Sequence, residues 1–109
     1  PVRDFISRAL EHTGYEVKTV DDGLEAWAAL TDDPPYDLLI TDIVMPGLDG
    51  IELALKASKE HPEMAILMIT GFAAEKQRAY GLENLIHKVL SKPFTLNQLL
   101  TATKEALNG

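Results

Sequence analysis

The sequence predicts an α/β fold built on a doubly wound parallel sheet. Two short uninterrupted apolar runs, Leu38-Leu39-Ile40 and Ala65 to Ile69, have the composition of strands buried on both faces. Stretches with helical apolar spacing and capping signals stand between and around them, and strands alternating with helices at this interval imply parallel pairing under two helical layers.

Each element follows from its residues. Val2, Phe5, Ile6, Ala9 and Leu10 recur at i, i+3, i+4, i+7 and i+8, an amphipathic helix for which Gly14 is a stop. Tyr15 to Val20 alternates apolar and polar and predicts a strand. Asp22 and Glu25 have capping-box spacing ahead of Ala26, Trp27 and Leu30, and Pro34-Pro35 ends that helix. Asp49 and Glu52 repeat the spacing before a helix expected to bury Ile51, Ala54 and Leu55 and to run towards Pro62. A weaker helix is expected from about Ala73 to Tyr80, stopped by Gly81, and a strand over His87 to Ser91. Thr95 and Gln98 cap a last helix with Leu96, Leu99, Leu100, Thr103 and Leu107 on its apolar face.

A chain of 109 residues suits one domain with one core, and no repeat, linker or low-complexity tract divides it. Its 46% hydrophobic and 25% charged residues are ordinary for a globular protein. No apolar run approaches the roughly 20 residues that span a bilayer, so no membrane contact is expected. The absence of cysteine excludes disulfides, thiolate metal sites and thiol nucleophiles, and fits a cytoplasmic setting. A formal charge of −7 argues against direct nucleic-acid binding, which calls for a basic patch.

In parallel sheets of this kind the site lies beyond the carboxyl ends of the strands. Asp42 follows the first apolar run, Thr70 the second, and Lys92 the last strand. A carboxylate, a hydroxyl and an ammonium therefore meet at one rim. A carboxylate can attack phosphorus to give an acyl phosphate, while Lys and Thr supply positive charge and a donor for the phosphoryl oxygens. Singly, each has a plainer reading: Asp42 as a turn residue, Thr70 as a strand end, Lys92 as a solvated cation.

The stretch Asp42-Ile43-Val44-Met45-Pro46-Gly47-Leu48-Asp49-Gly50 resembles the D-x-x-M-P-x-x-D-G motif of two-component response regulator receiver domains. Thr70-Gly71 and Lys92-Pro93-Phe94 resemble the family's later motifs, in order and at the usual separations. The resemblance implies a flavodoxin-like receiver fold over residues 1–109, with Asp42 as phosphoacceptor and magnesium ligand. It implies a backbone carbonyl of Val44 on the metal, Thr70 and Lys92 on the phosphoryl group, Asp49 and Gly50 as a structural turn and cap, and a cis bond before Pro93. Implied partners are a histidine kinase or histidine phosphotransfer protein as donor. TDIVMP, ITGFAA and VLSKPF further resemble CpdR-type stand-alone receivers, adaptors for a cytosolic AAA+ protease, and the receivers of hybrid histidine kinases.

The sequence departs from the family pattern in two places. Receivers begin with a strand ending in two acids that hold the metal, whereas this chain opens on a helix, with Pro1 at its first turn. The expectation is a receiver whose first strand and acid pair lie upstream of the sequence, with weak or no magnesium binding by the chain as it stands. Asp21-Asp22 and Asp32-Asp33 do not replace the pair, since Asp22 reads as a cap and the second pair falls in a Pro-bounded turn. The relay position three residues before Lys92, aromatic in most receivers, is Val89, so the usual aromatic flip is unavailable; Tyr80 and His87 read as surface or packing residues. Val44 and Phe72, two residues after the phosphoacceptor and the threonine, cannot orient a hydrolytic water, and slow spontaneous loss of phosphate is expected.

The leading reading is therefore a switch, not an enzyme in the ordinary sense, in which phosphate on Asp42 alters the surface formed by the helix near 73–80, the last strand and the last helix. A second is a phosphate-independent interaction module using that face, favoured by the missing acids and by Val89. An aspartyl-nucleophile hydrolase is disfavoured because the position of its general acid, two residues after the nucleophile, is Val44. A flavin-binding domain would need a Ser/Thr-rich phosphate loop after a first strand.

Overall fold

Parallel strands bury both faces, and the most deeply buried segment of the chain is such a strand. The computed structural model describes residues 2–20, 22–32, 36–43, 49–71 and 88–108. In order these form α1 (Val2–Thr13), α2 (Gly23–Asp32), β1 (Leu38–Asp42), α3 (Gly50–Glu60), β2 (Ala65–Thr70), β3 (Lys88–Ser91) and α4 (Leu96–Asn108). The described strands make one parallel sheet in the order β1-β2-β3. Every residue of β2 is buried, as its apolar run predicts. Leu38, Leu39 and Ile40 of β1 are only half-buried, because β1 is an edge of the described sheet.

Two apolar clusters lie on opposite faces. One joins Ala26 and Leu30 of α2 and Leu53, Ala54 and Ala57 of α3 to Ile43, Ile66 and Met68. The other joins Leu99 and Ala102 of α4 to Leu67 and Leu90, with Ile6, Ala9, Leu38, Ile40 and Phe94 against it. The strand alternation thus sends Leu39 and Ile43 to the α2–α3 side and Leu38 and Ile40 to the α1–α4 side. This is the double winding that the sequence predicts.

Helix ends follow their signals. Gly14 has φ 110°, its N–H bonds the Glu11 carbonyl and the Tyr15 N–H bonds that of Leu10, a Schellman ending that requires a left-handed residue. Asp22 Oδ1 accepts from the Glu25 N–H at 2.8 Å, so this acid is a cap. Thr95 and Gln98 form the reciprocal capping box, at 2.8 and 3.1 Å.

Three expectations need correction. Tyr15 to Val20 is not a strand: alternation sets which way side chains point, but a strand also needs a neighbour to pair with, and no described strand pairs with this segment. Val20 nevertheless packs on the α2–α3 cluster. In α3 the buried stripe is Leu53, Ala54 and Ala57, with Ile51 half-buried and Leu55 exposed, because the small alanines let the helix approach the sheet. In α4, similarly, Leu99, Ala102, Thr103 and Ala106 face inward and Leu96 is exposed. The helix expected near 73–80, Gly81, His87, and the Pro34-Pro35 stop lie outside the described residues.

Candidate phosphoacceptor site

The site is built by strand register. Asp42 stands opposite Ile69, and Thr70, the next residue of β2, stands opposite Ser91 at the end of β3. The Lys92 N–H donates to the Thr70 carbonyl at 2.7 Å, continuing the ladder one residue past β3. Asp42, Thr70 and Lys92 are thus carried to the carboxyl ends of three adjacent strands, and the Lys92–Pro93 peptide is cis.

Across this rim the Lys92 Nζ lies 2.9 Å from Asp42 Oδ1. Both side chains are more than a third exposed, so the contact is a solvent-screened ion pair of small energetic weight. Its interest is geometric, since it places an ammonium against the carboxylate expected to react. Thr70 differs: it is fully buried, and its Oγ1 finds no hydrogen-bond partner among the described residues. A buried hydroxyl without a partner is uncommon and asks for an explanation.

The main chain around Asp42 is fixed by α3. Asp49 caps that helix through Oδ1, which accepts from the Ile51 N–H at 2.7 Å. The Gly50 N–H donates to the Ile43 carbonyl at 2.8 Å, and a Cβ on Gly50 would lie 1.7 Å from the Asp42 carbonyl oxygen. Asp49 and Gly50 are the turn and cap expected of them, and Gly50 also allows a backbone contact that spacing alone does not reveal. Sequence reasoning also missed Thr41, whose Oγ1 donates to the Asp42 carbonyl at 2.9 Å. Its only signal was a hydroxyl at the end of an apolar run.

Val89, at the position of the aromatic relay, packs against the α2–α3 cluster as a core residue. Phe94 meets the ring of Phe5 on α1 at 6.2 Å between centroids. Val44, Phe72, Tyr80, Asp21 and Asp33 lie outside the described residues.

Among the described residues no group of three or more His, Cys, Asp or Glu side chains could hold a metal ion. Asp42 is the sole carboxylate of the site built above, and it is paired with Lys92. The described residues by themselves therefore do not fit magnesium, which keeps most of its waters unless several anionic oxygens compete for it. Titration calorimetry of the 109-residue chain with magnesium chloride is expected to give no saturation up to about millimolar metal. A saturating isotherm well below that would mean that another acid completes the site.

This fold and rim are those of a response regulator receiver domain: the family model of that name matches residues 1–104, and the chain belongs to the family. The chain is 43% identical over 106 residues to the response regulator receiver protein CpdR of Brucella abortus, covering 97% of this chain and 88% of that one. It is 34% identical to the response regulator MprA of Mycobacterium avium, but spans only 46% of that protein's length. Among solved structures, the receiver domain of NtrX from Brucella abortus superposes with a TM-score of 0.87 at 30% identity, over 98% of this chain and 90% of that one. A receiver domain protein from Clostridium thermocellum gives 0.87 at 29%, over 98% and 86%. Aspartyl phosphorylation, magnesium and partner switching are general to this family. Among the described residues no helix is long and apolar enough to cross a membrane.

Proposed function

We propose that this chain accepts a phosphoryl group on Asp42 from a phosphohistidine of a histidine kinase or histidine phosphotransfer protein, and so switches a protein-binding surface. The observation that carries the reading is the 2.9 Å contact between Lys92 Nζ and Asp42 Oδ1 at the ends of adjacent strands. An Asp42 carboxylate oxygen attacks phosphorus, the P–O bond forms and the P–N bond breaks. The bonding pair leaves on the imidazole nitrogen, which takes up a proton from solvent. Lys92 stays beside the new acyl phosphate and offsets charge on its oxygens, and the Thr70 hydroxyl gains the acceptor it lacks. Magnesium, when held by the complete site, neutralises charge on the transferring group.

The similarity to CpdR, of which the chain covers 88%, supports a regulator consisting of a receiver alone. Its output is then a protein partner, with a cytoplasmic AAA+ protease the class to which the sequence resemblance points.

The test is intact-mass analysis after incubation with acetyl phosphate and excess magnesium chloride. The parent is expected to gain one phosphoryl group and Asp42→Asn none. Equal labelling of the two proteins would remove Asp42 from the reaction, and no labelling of the parent would favour a phosphate-independent interaction module.

A further inference from the structure

We propose that Thr41 is a positioning residue for Asp42, its buried hydroxyl fixing the main chain of the phosphoacceptor against the start of α3. The inference rests on the reading of Asp42 as phosphoacceptor and adds to it a group that does not itself touch the reacting atoms.

Thr41 is 4% exposed, and its ladder partner is Met68. By strand alternation it points to the side of Leu39 and Ile43, both of which pack in the α2–α3 cluster. Valine has nearly the same shape and is a favoured residue of buried parallel strands. The hydroxyl that distinguishes threonine carries a desolvation cost on such a face unless it is bonded. Here it donates to the Asp42 carbonyl at 2.9 Å.

That carbonyl is confined from another direction as well. The same oxygen sits so near the Cα of Gly50 that an added Cβ would lie 1.7 Å from it, and the following carbonyl, of Ile43, accepts the Gly50 N–H at 2.8 Å. Two successive peptide groups are thus held at the strand end from which the Asp42 side chain springs. The carboxylate itself is 38% exposed and has no close-packed wall to aim it. Its direction is set by the backbone beneath it and by Lys92. In-line attack on phosphorus is sensitive to such aim, since a misplacement of about 1 Å costs up to a hundredfold in rate.

Thr41→Val removes the hydroxyl and keeps the shape, whereas Thr41→Ser keeps the hydroxyl. The initial rate of labelling by acetyl phosphate with magnesium chloride is expected to fall about tenfold in Thr41→Val. In Thr41→Ser it is expected to stay within about twofold of the parent. In the unmodified proteins the carbonyl carbon resonance of Asp42 is expected to move in Thr41→Val and to stay near the parent value in Thr41→Ser. A purely structural role would lower the melting temperature without this division between the variants. Parent-like labelling by Thr41→Val overturns the proposal, and so does an unmoved Asp42 carbonyl resonance. If the parent takes no label, the phosphoacceptor reading falls on its own and the resonance alone decides whether Thr41 holds Asp42.

Discussion

Gly50→Ala is expected to destabilise the fold by about 3 kcal/mol, at the upper end of what overpacking costs. The direction opposes the usual one. Within a helix, alanine is favoured over glycine by about 1 kcal/mol. At this position the new methyl would lie 1.7 Å from the Asp42 carbonyl oxygen and 2.9 Å from the Ile43 Cα. All the near atoms are backbone, so no rotamer change relieves the overlap. Either α3 retreats from β1, opening the cluster of Leu53, Ala54 and Ile43, or the end of β1 is displaced and carries Asp42 away from Lys92. Thermal and urea unfolding measure the first outcome. Loss of labelling by acetyl phosphate in a variant that remains folded measures the second. A Gly50→Ala protein as stable and as readily labelled as the parent would show that the close approach is not maintained in solution.

The fold was legible where a single physical signal was sufficient. β2 reads directly from its apolar run because all six of its residues are buried, and α4 begins where Thr95 and Gln98 satisfy one another. The order of elements and the chemistry at strand ends placed Asp42, Thr70 and Lys92 at one rim, and the register and the 2.9 Å ion pair bring them there. Signals that depend on a partner were less informative. The alternation of Tyr15 to Val20 cannot say whether a neighbouring strand is present, and no described strand pairs with this segment. The inward faces of α3 and α4 were misjudged by one or two positions, because leucines were weighted over the alanines that set how closely a helix can approach a sheet. The roles of Thr41 and Gly50 depend on a carbonyl oxygen of another residue, which has no trace in side-chain pattern.

Thr70→Val is expected to stabilise the unmodified protein and to remove much of its response to phosphorylation. Thr70 ends a strand buried throughout, and its Oγ1 has no hydrogen-bond partner among the described residues. Carrying an unsatisfied hydroxyl into such a site costs about 1–3 kcal/mol, which valine avoids while keeping the β-branched shape that suits the strand. A gain of about 1 kcal/mol corresponds to a rise in melting temperature of roughly 4–8 °C for a domain of this size. The sign reverses on phosphorylation. A phosphoryl group on Asp42 offers the threonine hydroxyl an acceptor, so the parent should be stabilised by labelling, whereas the valine variant has no donor to contribute. Four melting curves, parent and variant with and without acetyl phosphate and magnesium chloride, form a cycle whose cross term isolates the hydroxyl–phosphoryl contact. The expected order is a higher starting point for Thr70→Val and a smaller increment on labelling. A resting Thr70→Val protein less stable than the parent would mean that the hydroxyl is already bonded before phosphate arrives, and equal increments in both proteins would remove Thr70 from the switch.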